Sequence, residues 1–147
     1  MKRIYLTKGM VAIVDDEDFE RVNSFSWYFN GRYAARKANG RTILLHRFVI
    51  QTPKGKITDH VNGDRMDNRK SNLRICNQSQ NRANSNRPRT NTSGYKGVCF
   101  DTRLKKYRAY IKKEGKMHNL GLFKTAIEAH VAYVKKADEL FGEYSKP

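Results

Sequence analysis

The sequence of 147 residues is poor in cysteine, with two, and in proline, with three. Cys76 and Cys99 do not form a metal-ligand pair, which excludes a zinc site built on cysteines, and in a cytosolic chain we expect both thiols to be free. No apolar run approaches the ~20 residues that a membrane span requires. Residues 1–4 are not followed by the hydrophobic region of a signal peptide. We therefore expect a cytoplasmic protein with no membrane partner.

Hydrophobic and acidic residues are also scarce. Hydrophobic residues make up 38% of the chain and the mean hydropathy is −0.82, which argues against one large core and allows two or three small domains. Only 14 acidic residues oppose 30 lysines and arginines, and the formal net charge is +16. This charge favours a polyanionic partner, although it does not distinguish DNA from RNA.

The most informative stretch is residues 57–84. Its pattern predicts a short strand that ends in Asp59-His60, a long polar loop, a second strand at residues 73–75 and a helix that opens at Asn77. Residues 59–74, DHVNGDRMDNRKSNLR, follow the pattern DHxNGDxxDNRxxNLR. The stretch resembles the ββα-metal site of the HNH nucleases, in the branch found in phages and introns. The resemblance implies a metal-dependent DNA endonuclease of the homing type.

Phosphodiester hydrolysis requires a base that activates water and a cation that stabilises the developing charge. Histidine accepts a proton near neutral pH, so His60 is the predicted base. A base of this kind needs its other ring nitrogen held, and the resemblance implies that Asn72 holds it. Asp59 is the predicted metal ligand, and the resemblance implies Asn81 as the second. Oxygen ligands of this kind suit Mg²⁺ or Mn²⁺ better than zinc. Asn77 is the rival to Asn81, although its position favours a helix N-cap.

Other polar residues near the motif have simpler explanations. The loop residues Asn62, Asp64, Asp67 and Asn68 are typical of turns. The acidic cluster at residues 15–18 is expected to open a short helix that runs through Val22, because acidic groups are favourable at a helix N-terminus. His46, in the segment LLHRFVI, has two open interpretations: it approaches the DNA or the active site, or it is a half-buried packing residue.

Residues 1–50 are predicted to form a small β-rich unit. The Asn-Gly pairs at 30–31 and 39–40 are hairpin signals. The strand candidates are residues 3–6, 10–14, 27–29, 33–37 and 42–45.

Residues 94–147 change pattern again. Strands are predicted to begin at Gly94 and to span residues 106–112 and 116–120, and a helix follows at 125–141. The apolar stripe of this helix is predicted to contain Ile127, Val131, Val134 and Phe141, widened by Ala126, Tyr133, Ala137 and Leu140. The segments SGYKGV, YRAYI and LGLFKTAIEAHVAY resemble the AP2 DNA-binding domain, whose three-stranded sheet enters the major groove. Cys99 stands where that family usually has a base-contacting arginine, so its base preference does not carry over. The candidate DNA contacts here are Lys96, Arg103, Lys105, Arg108, Tyr110, Lys112 and His118.

The predicted fold is therefore α+β, with a β-rich unit at 1–50, an HNH motif at 51–86, a basic linker at 87–93 and an AP2-like domain at 94–147. In and after the motif, Arg74, Arg82, Arg87 and Arg89 are further candidate DNA contacts. The predicted function is a metal-dependent, sequence-guided endonuclease that nicks double-stranded DNA, acts as a monomer or weak dimer, and is encoded by a phage or intron in a bacterial host. The alternatives are a DNA-binding regulator with a relict HNH site and an RNA-binding module.

Overall fold

The structure, a computed structural model, describes residues 1–146. Its elements are ten strands in four small sheets and four α-helices within these residues, which confirms the predicted α+β class. The chain divides into two compact units, Met1–Asn77 and Gln78–Pro147. Within residues 1–146, no helix is both long enough and apolar enough to cross a membrane.

The N-terminal unit contains three small sheets. The first pairs β1 with β2, the second has the order β3-β4-β5, and the third pairs β6 with β7, all antiparallel. The elements are β1 (Lys2–Tyr5), β2 (Val11–Val14), α1 (Asp16–Asn23), β3 (Tyr28–Phe29), β4 (Ala34–Ala38), β5 (Arg41–Leu44), α2 (Leu45–Val49), β6 (Ile57–His60) and β7 (Leu73–Cys76).

A single apolar cluster connects these sheets. Side chains from β1, β2, α1 and α2 meet in it, among them Ile4, Val14, Val22 and Leu45. The acidic residues 15–18 open α1, as predicted, and Asp18 forms ion pairs with Arg21 and Lys70. The acidic cluster is therefore used in helix formation and local ion pairing.

The C-terminal unit is built on a three-stranded antiparallel sheet of order β10-β9-β8, against which one long helix packs. Its elements are α3 (Gln78–Asn84), β8 (Val98–Asp101), β9 (Lys106–Lys113), β10 (Lys116–Phe123) and α4 (Ala126–Phe141). A capping box between Thr125 and Glu128 fixes the start of α4. The predicted sheet and helix are thus confirmed, although the first strand begins at Val98 rather than at Gly94.

One expectation about the C-terminal region is corrected in part. Ile127 and Val131 are 61% and 63% exposed, so they do not form the face of α4 that covers the sheet. The other part of the predicted stripe is confirmed, because Tyr133, Ala137 and Phe141 are buried, and Ala129 is buried with them in the packing of α4 on the sheet. In addition, α3 falls in the C-terminal unit, where Ala83 joins the core around Tyr133. The two compact units divide after Asn77, and the domain boundaries predicted around the linker at 87–93 stay a prediction.

Candidate active site

The end of β6 carries the two central residues of the motif. Asp59 pairs in register with Arg74 of β7, and His60 pairs with Leu73. Adjacent residues of a strand point to opposite faces, so the carboxylate and the imidazole leave β6 on different sides. Both side chains are buried, with Asp59 at 7% and His60 at 5% exposure. A titratable pair placed in this way at a strand end is typical of a functional site.

Asp59 is held by Arg74. Both Nε and a terminal nitrogen of the guanidinium donate to Asp59 Oδ2, at 3.1 and 3.0 Å. Arg74 was a candidate DNA contact, and the structure instead places its guanidinium on the carboxylate of Asp59. Among residues 1–146, no other side chain donates to Asp59, so its Oδ1 offers an anionic oxygen to a cation.

A divalent cation of the Mg²⁺ or Mn²⁺ type fits this donor set. The described residues contain no group of three histidine, cysteine, aspartate or glutamate side chains arranged around one ion. Mg²⁺ is commonly bound through one or two carboxylates and keeps several water ligands, which one buried carboxylate oxygen can support. Asn81, the other predicted ligand, lies in α3 of the C-terminal unit and stays a prediction from the resemblance.

The imidazole of His60 is oriented by Asn68. The distance from His60 Nε2 to Asn68 Oδ1 is 3.3 Å. The amide nitrogen of Asn68 donates to the backbone carbonyls of Met66 and Arg65, at 3.0 and 3.5 Å, which fixes its oxygen toward the ring. Since this oxygen can only accept, the neutral imidazole carries its proton on Nε2 and its basic lone pair on Nδ1.

Asn72, the predicted partner of His60, has a different role in the structure. Its Oδ1 accepts from the backbone N–H of Asn62 at 3.0 Å, and its amide nitrogen donates to the carbonyl of Asp67 at 2.8 Å. It therefore ties the two ends of the loop together, and Asn68 takes the place expected for it. Sequence reasoning missed Asn68 because its DNR setting is also typical of a turn.

Two aromatic side chains of the N-terminal unit lie beside His60. The ring of His46 is 5.0 Å from that of His60, and the ring of Tyr33 is 6.3 Å from it and nearly parallel. His46 is 5% exposed, and among the described residues its Nδ1 has no hydrogen-bond partner. The structure therefore places His46 next to the site as a buried residue. Tyr33 gave no signal in the sequence.

Burial keeps both histidines neutral. It lowers the pKa of His46 from 6.5 to about 3, and the nearby His60 and Arg47 act in the same direction. Burial also lowers the pKa of His60, while the bond to Asn68 and the carboxylates of Asp59, Asp64 and Asp67 oppose that shift. A neutral His60 at physiological pH can accept a proton, as a general base must.

The candidate DNA contacts of the C-terminal sheet separate into two groups. Arg108, Tyr110 and Lys112 alternate along β9 with the buried Ala109 and Ile111, so they lie on the face away from α4. Arg108 donates to Asp101 at 2.7 Å. Arg103 and Lys105 are exposed in the turn between β8 and β9, and Arg82, Arg87 and Arg89 are exposed as well.

Lys96 and His118 are not placed as predicted. The amino group of Lys96 donates to the backbone carbonyls of Ala83 and Lys146, and burial lowers its pKa to about 8. His118 pairs in register with the buried Ile111, and directly paired residues share a face, so His118 lies on the α4 side of the sheet. Neither side chain belongs to the outward face.

Comparisons with known proteins agree with this geometry. Residues 51–83 match the profile of a family described as HNH endonuclease. The chain is also 30% identical over 94 residues to Protein 3.8 of Escherichia phage T7, across 64% of this chain and 77% of that protein. The chain belongs to the HNH endonuclease family. As a member of that family it is a nuclease.

A second relative spans more of the chain. It is described as an uncharacterized HNH endonuclease of Acanthamoeba polyphaga mimivirus and is 29% identical over 147 residues, across 95% of this chain and 75% of that protein. No solved structure matches this HNH-family chain. The similarity to the viral relative therefore extends well beyond the 33 residues of the HNH match itself.

Proposed function

We propose that this HNH-family nuclease hydrolyses phosphodiester bonds of double-stranded DNA, one strand per binding event, with Mg²⁺ or Mn²⁺ as its cofactor. The observation that carries the proposal is the end of β6, where a buried carboxylate and a buried neutral imidazole are adjacent. His60 has one nitrogen fixed by Asn68, which makes the other nitrogen the base. The charge of +16 supports a polyanionic substrate.

In this mechanism His60 Nδ1 accepts a proton from the attacking water. Asn68 holds the ring in one tautomer and accepts from Nε2–H, so that the imidazolium formed in the reaction stays bonded. Arg74 holds the carboxylate of Asp59 in one orientation. A divalent cation held at Asp59 would stabilise the charge that develops on the phosphate and on the departing 3′ oxygen.

We assign sequence reading to the outward face of the C-terminal sheet, in the manner of an AP2-like domain. Phosphate contacts position a protein on DNA, whereas sequence is read at base edges. Arg108 is a planar donor suited to guanine, and Asp101 holds it on that face. A nuclease with its own reader would cut at chosen sites, as a homing-type enzyme does, and the phage relative is consistent with action in the cytoplasm of a bacterial host. One HNH motif per chain is consistent with a nicking monomer or a weak dimer.

One observation favours the alternative of a DNA-binding regulator with a relict site. Arg74 already neutralises one oxygen of Asp59, and a guanidinium in that place competes with a cation for the carboxylate. The enzyme and the regulator differ in whether DNA is cut, and the RNA-binding module differs from both in its ligand.

A plasmid-nicking assay separates these functions. Supercoiled plasmid is incubated with the full chain and Mg²⁺, Mn²⁺ or a chelator, and we expect nicked circles only with a metal. His60→Ala should bind duplex DNA at fixed salt as the wild type does, because it removes no cationic charge. It should lose about 10²–10⁴-fold in rate, the usual value of general-base catalysis. Metal-independent nicking, or near-normal turnover by His60→Ala, would refute the mechanism.

A further inference from the structure

Two exposed arginines share one aromatic ring beside His60. The guanidinium carbons of Arg32 and Arg65 lie 5.3 and 5.4 Å from the centre of the Tyr33 ring. Both are within the ~6 Å range of a cation–π contact. The same ring is nearly parallel to the imidazole of His60, at 6.3 Å between centroids. Two positive charges are thus held next to the base.

The backbone around each arginine is fixed. Asn30 Oδ1 accepts from the N–H groups of Arg32 and Tyr33, at 3.0 and 2.8 Å, and the Asn30 N–H donates to the Tyr33 carbonyl. Arg65 lies in the motif loop, where Asp64 Oδ1 accepts from the Met66 N–H at 2.9 Å.

The loop is also tied to β2. The N–H of Ile13 donates to the Met66 carbonyl, and the N–H of Asn68 donates to the Ile13 carbonyl, each at 2.8 Å. The segments that carry Arg32 and Arg65 are therefore ordered before any ligand arrives, which reduces the entropy lost on binding.

The contacts of these arginines leave their donors unused. A cation–π contact does not require the N–H groups of a guanidinium as hydrogen-bond donors, and each guanidinium has five of them. Within residues 1–146, neither guanidinium makes a hydrogen bond or ion pair to another side chain. This differs from Arg69 and Arg74, which donate to Asp67 and Asp59. Arginine edges of this kind match the oxygens of a phosphate.

We propose that Arg32 and Arg65, carried on Tyr33, form a phosphate-binding site that positions the DNA backbone next to His60. The proposal rests on the proposed function and extends it, because it names the groups that hold the phosphodiester near the base. Each guanidinium donates to non-bridging phosphate oxygens, and Tyr33 keeps the two cations in place. The ligand class is a phosphodiester backbone, without regard to base sequence.

The test compares two double variants of the full chain. Arg32→Ala with Arg65→Ala removes the pair. Arg3→Ala with Arg41→Ala removes the same charge from two exposed arginines of the same unit, which make no ring contact or ion pair within residues 1–146. Affinity for a short duplex is measured between 50 and 200 mM salt in chelator, so that no cleavage occurs. Each lost phosphate contact lowers the slope of log affinity against log salt by about 0.9.

We expect the Arg32/Arg65 variant to lose about two phosphate contacts. The ratio of wild-type affinity to variant affinity should therefore fall about tenfold between 50 and 200 mM salt. The Arg3/Arg41 control should lose clearly less. Equal slopes for the two double variants would overturn the proposal. This measurement uses no metal and no cleavage. It therefore tests the phosphate-binding site even if the wild type fails to nick DNA and the proposed function is wrong.

A second measurement addresses positioning in the enzyme that cleaves. With saturating DNA and metal, single-turnover nicking should be slower for the Arg32/Arg65 variant than for the Arg3/Arg41 control. Arg32→Lys with Arg65→Lys keeps both charges but lacks the planar fork, so it should restore the salt slope and only part of the cleavage rate. Thermal melting of each variant checks that the fold is intact. Wild-type cleavage by the Arg32/Arg65 variant would count against the positioning role.

Discussion

At the scale of single residues, the site depends on the hydrogen bonds of two asparagine side chains. Asn68 and Asn72 lie four positions apart in the same loop and are both buried. Asn68 contacts the imidazole of His60, whereas Asn72 connects Asn62 to the backbone of Asp67. The two asparagines are therefore expected to fail in different ways when they are replaced.

Asn68→Ala should lower the catalytic rate about 10–100-fold, the usual effect of removing a group that orients a functional histidine. DNA affinity should stay near the wild-type value, and Asn68→Asp, which keeps an acceptor, should retain more activity than Asn68→Ala. Asn72→Ala should instead mainly lower stability, by roughly 1–3 kcal/mol, because it leaves buried backbone groups unsatisfied. Single-turnover rates and melting curves measure the two effects. Equal rate losses, each explained by unfolding, would contradict the assignment.

His46 gives a prediction about pH. Its folded-state pKa of about 3 lies below the ordinary value of 6.5, so between these values the unfolded chain binds a proton that the folded chain does not. The free energy of unfolding should therefore fall as the pH falls through this window, by up to about 1.4 kcal/mol per pH unit from this group. Denaturant unfolding at pH 7.5 and pH 5 measures it.

His46→Phe is the matched variant, because it keeps an aromatic ring near Tyr33 and His60 and removes the group that titrates. It should be less sensitive to acid than the wild type over the same window. It also removes a buried Nδ1 that has no hydrogen-bond partner within residues 1–146, so no large loss of stability is expected at pH 7.5. If His46→Phe loses as much stability between pH 7.5 and pH 5 as the wild type does, His46 does not titrate in this way.

At the scale of elements, local turn chemistry was predictable and close packing was not. The Asn-Gly pairs marked the β3-β4 and β4-β5 hairpins, and alternation along residues 106–112 marked β9. Helix α2 was missed, because a short apolar run such as LLHRFVI has no period that separates helix from strand. The face of α4 was only partly predicted: Tyr133 and Phe141 are buried as expected, but hydrophobicity also favoured Ile127 and Val131, which are exposed.

Gly97 lies where the close packing of α4 on the sheet leaves no room for a side chain. It has a φ of +69°, and a Cβ there would overlap the ring of Tyr133 and lie 2.8 Å from the carbonyl oxygen of Tyr110. Gly97→Ala should destabilise the C-terminal unit by about 2–4 kcal/mol, from overpacking together with left-handed backbone strain. Gly94→Ala is the control, since Gly94 also has a positive φ but its Cβ would meet open space. It should cost roughly 1–2 kcal/mol. Similar melting temperatures for the two variants would contradict the packing argument.

At the scale of the whole molecule, the HNH motif was predictable from the sequence, whereas the division into compact units after Asn77 follows from packing. Motif and compact unit do not coincide, because the helix of the HNH motif, α3, is counted with the C-terminal unit. Its apolar residue Ala83 contributes to the core that contains Tyr133 and Phe141, and these contacts are more than 45 residues distant in sequence. Patterns within a motif carry no information about such long-range partners.

This organisation changes what truncation is expected to do. A boundary at the basic linker predicts that a chain ending at Asn91 still contains an intact nuclease motif. In the structure, however, the Ser79 hydroxyl accepts from the Glu114 N–H at 2.9 Å, and Lys96 donates to the carbonyl of Ala83. Truncation removes these partners as well as Tyr133. A helix of seven residues is too short to be stable alone.

We therefore expect the chain truncated after Asn91 to lose the ordered helix α3, and with it metal-dependent nicking, rather than only its site preference. Amide hydrogen exchange measures this directly: the amides near Ala83 should exchange much faster in the truncated chain than in the full chain. The amides of β2, within the N-terminal core, are the internal reference and should keep their protection. If α3 stays protected and the truncated chain still nicks, packing within the C-terminal unit is not what holds the helix. The boundary at residues 87–93 would then describe the working division of the enzyme.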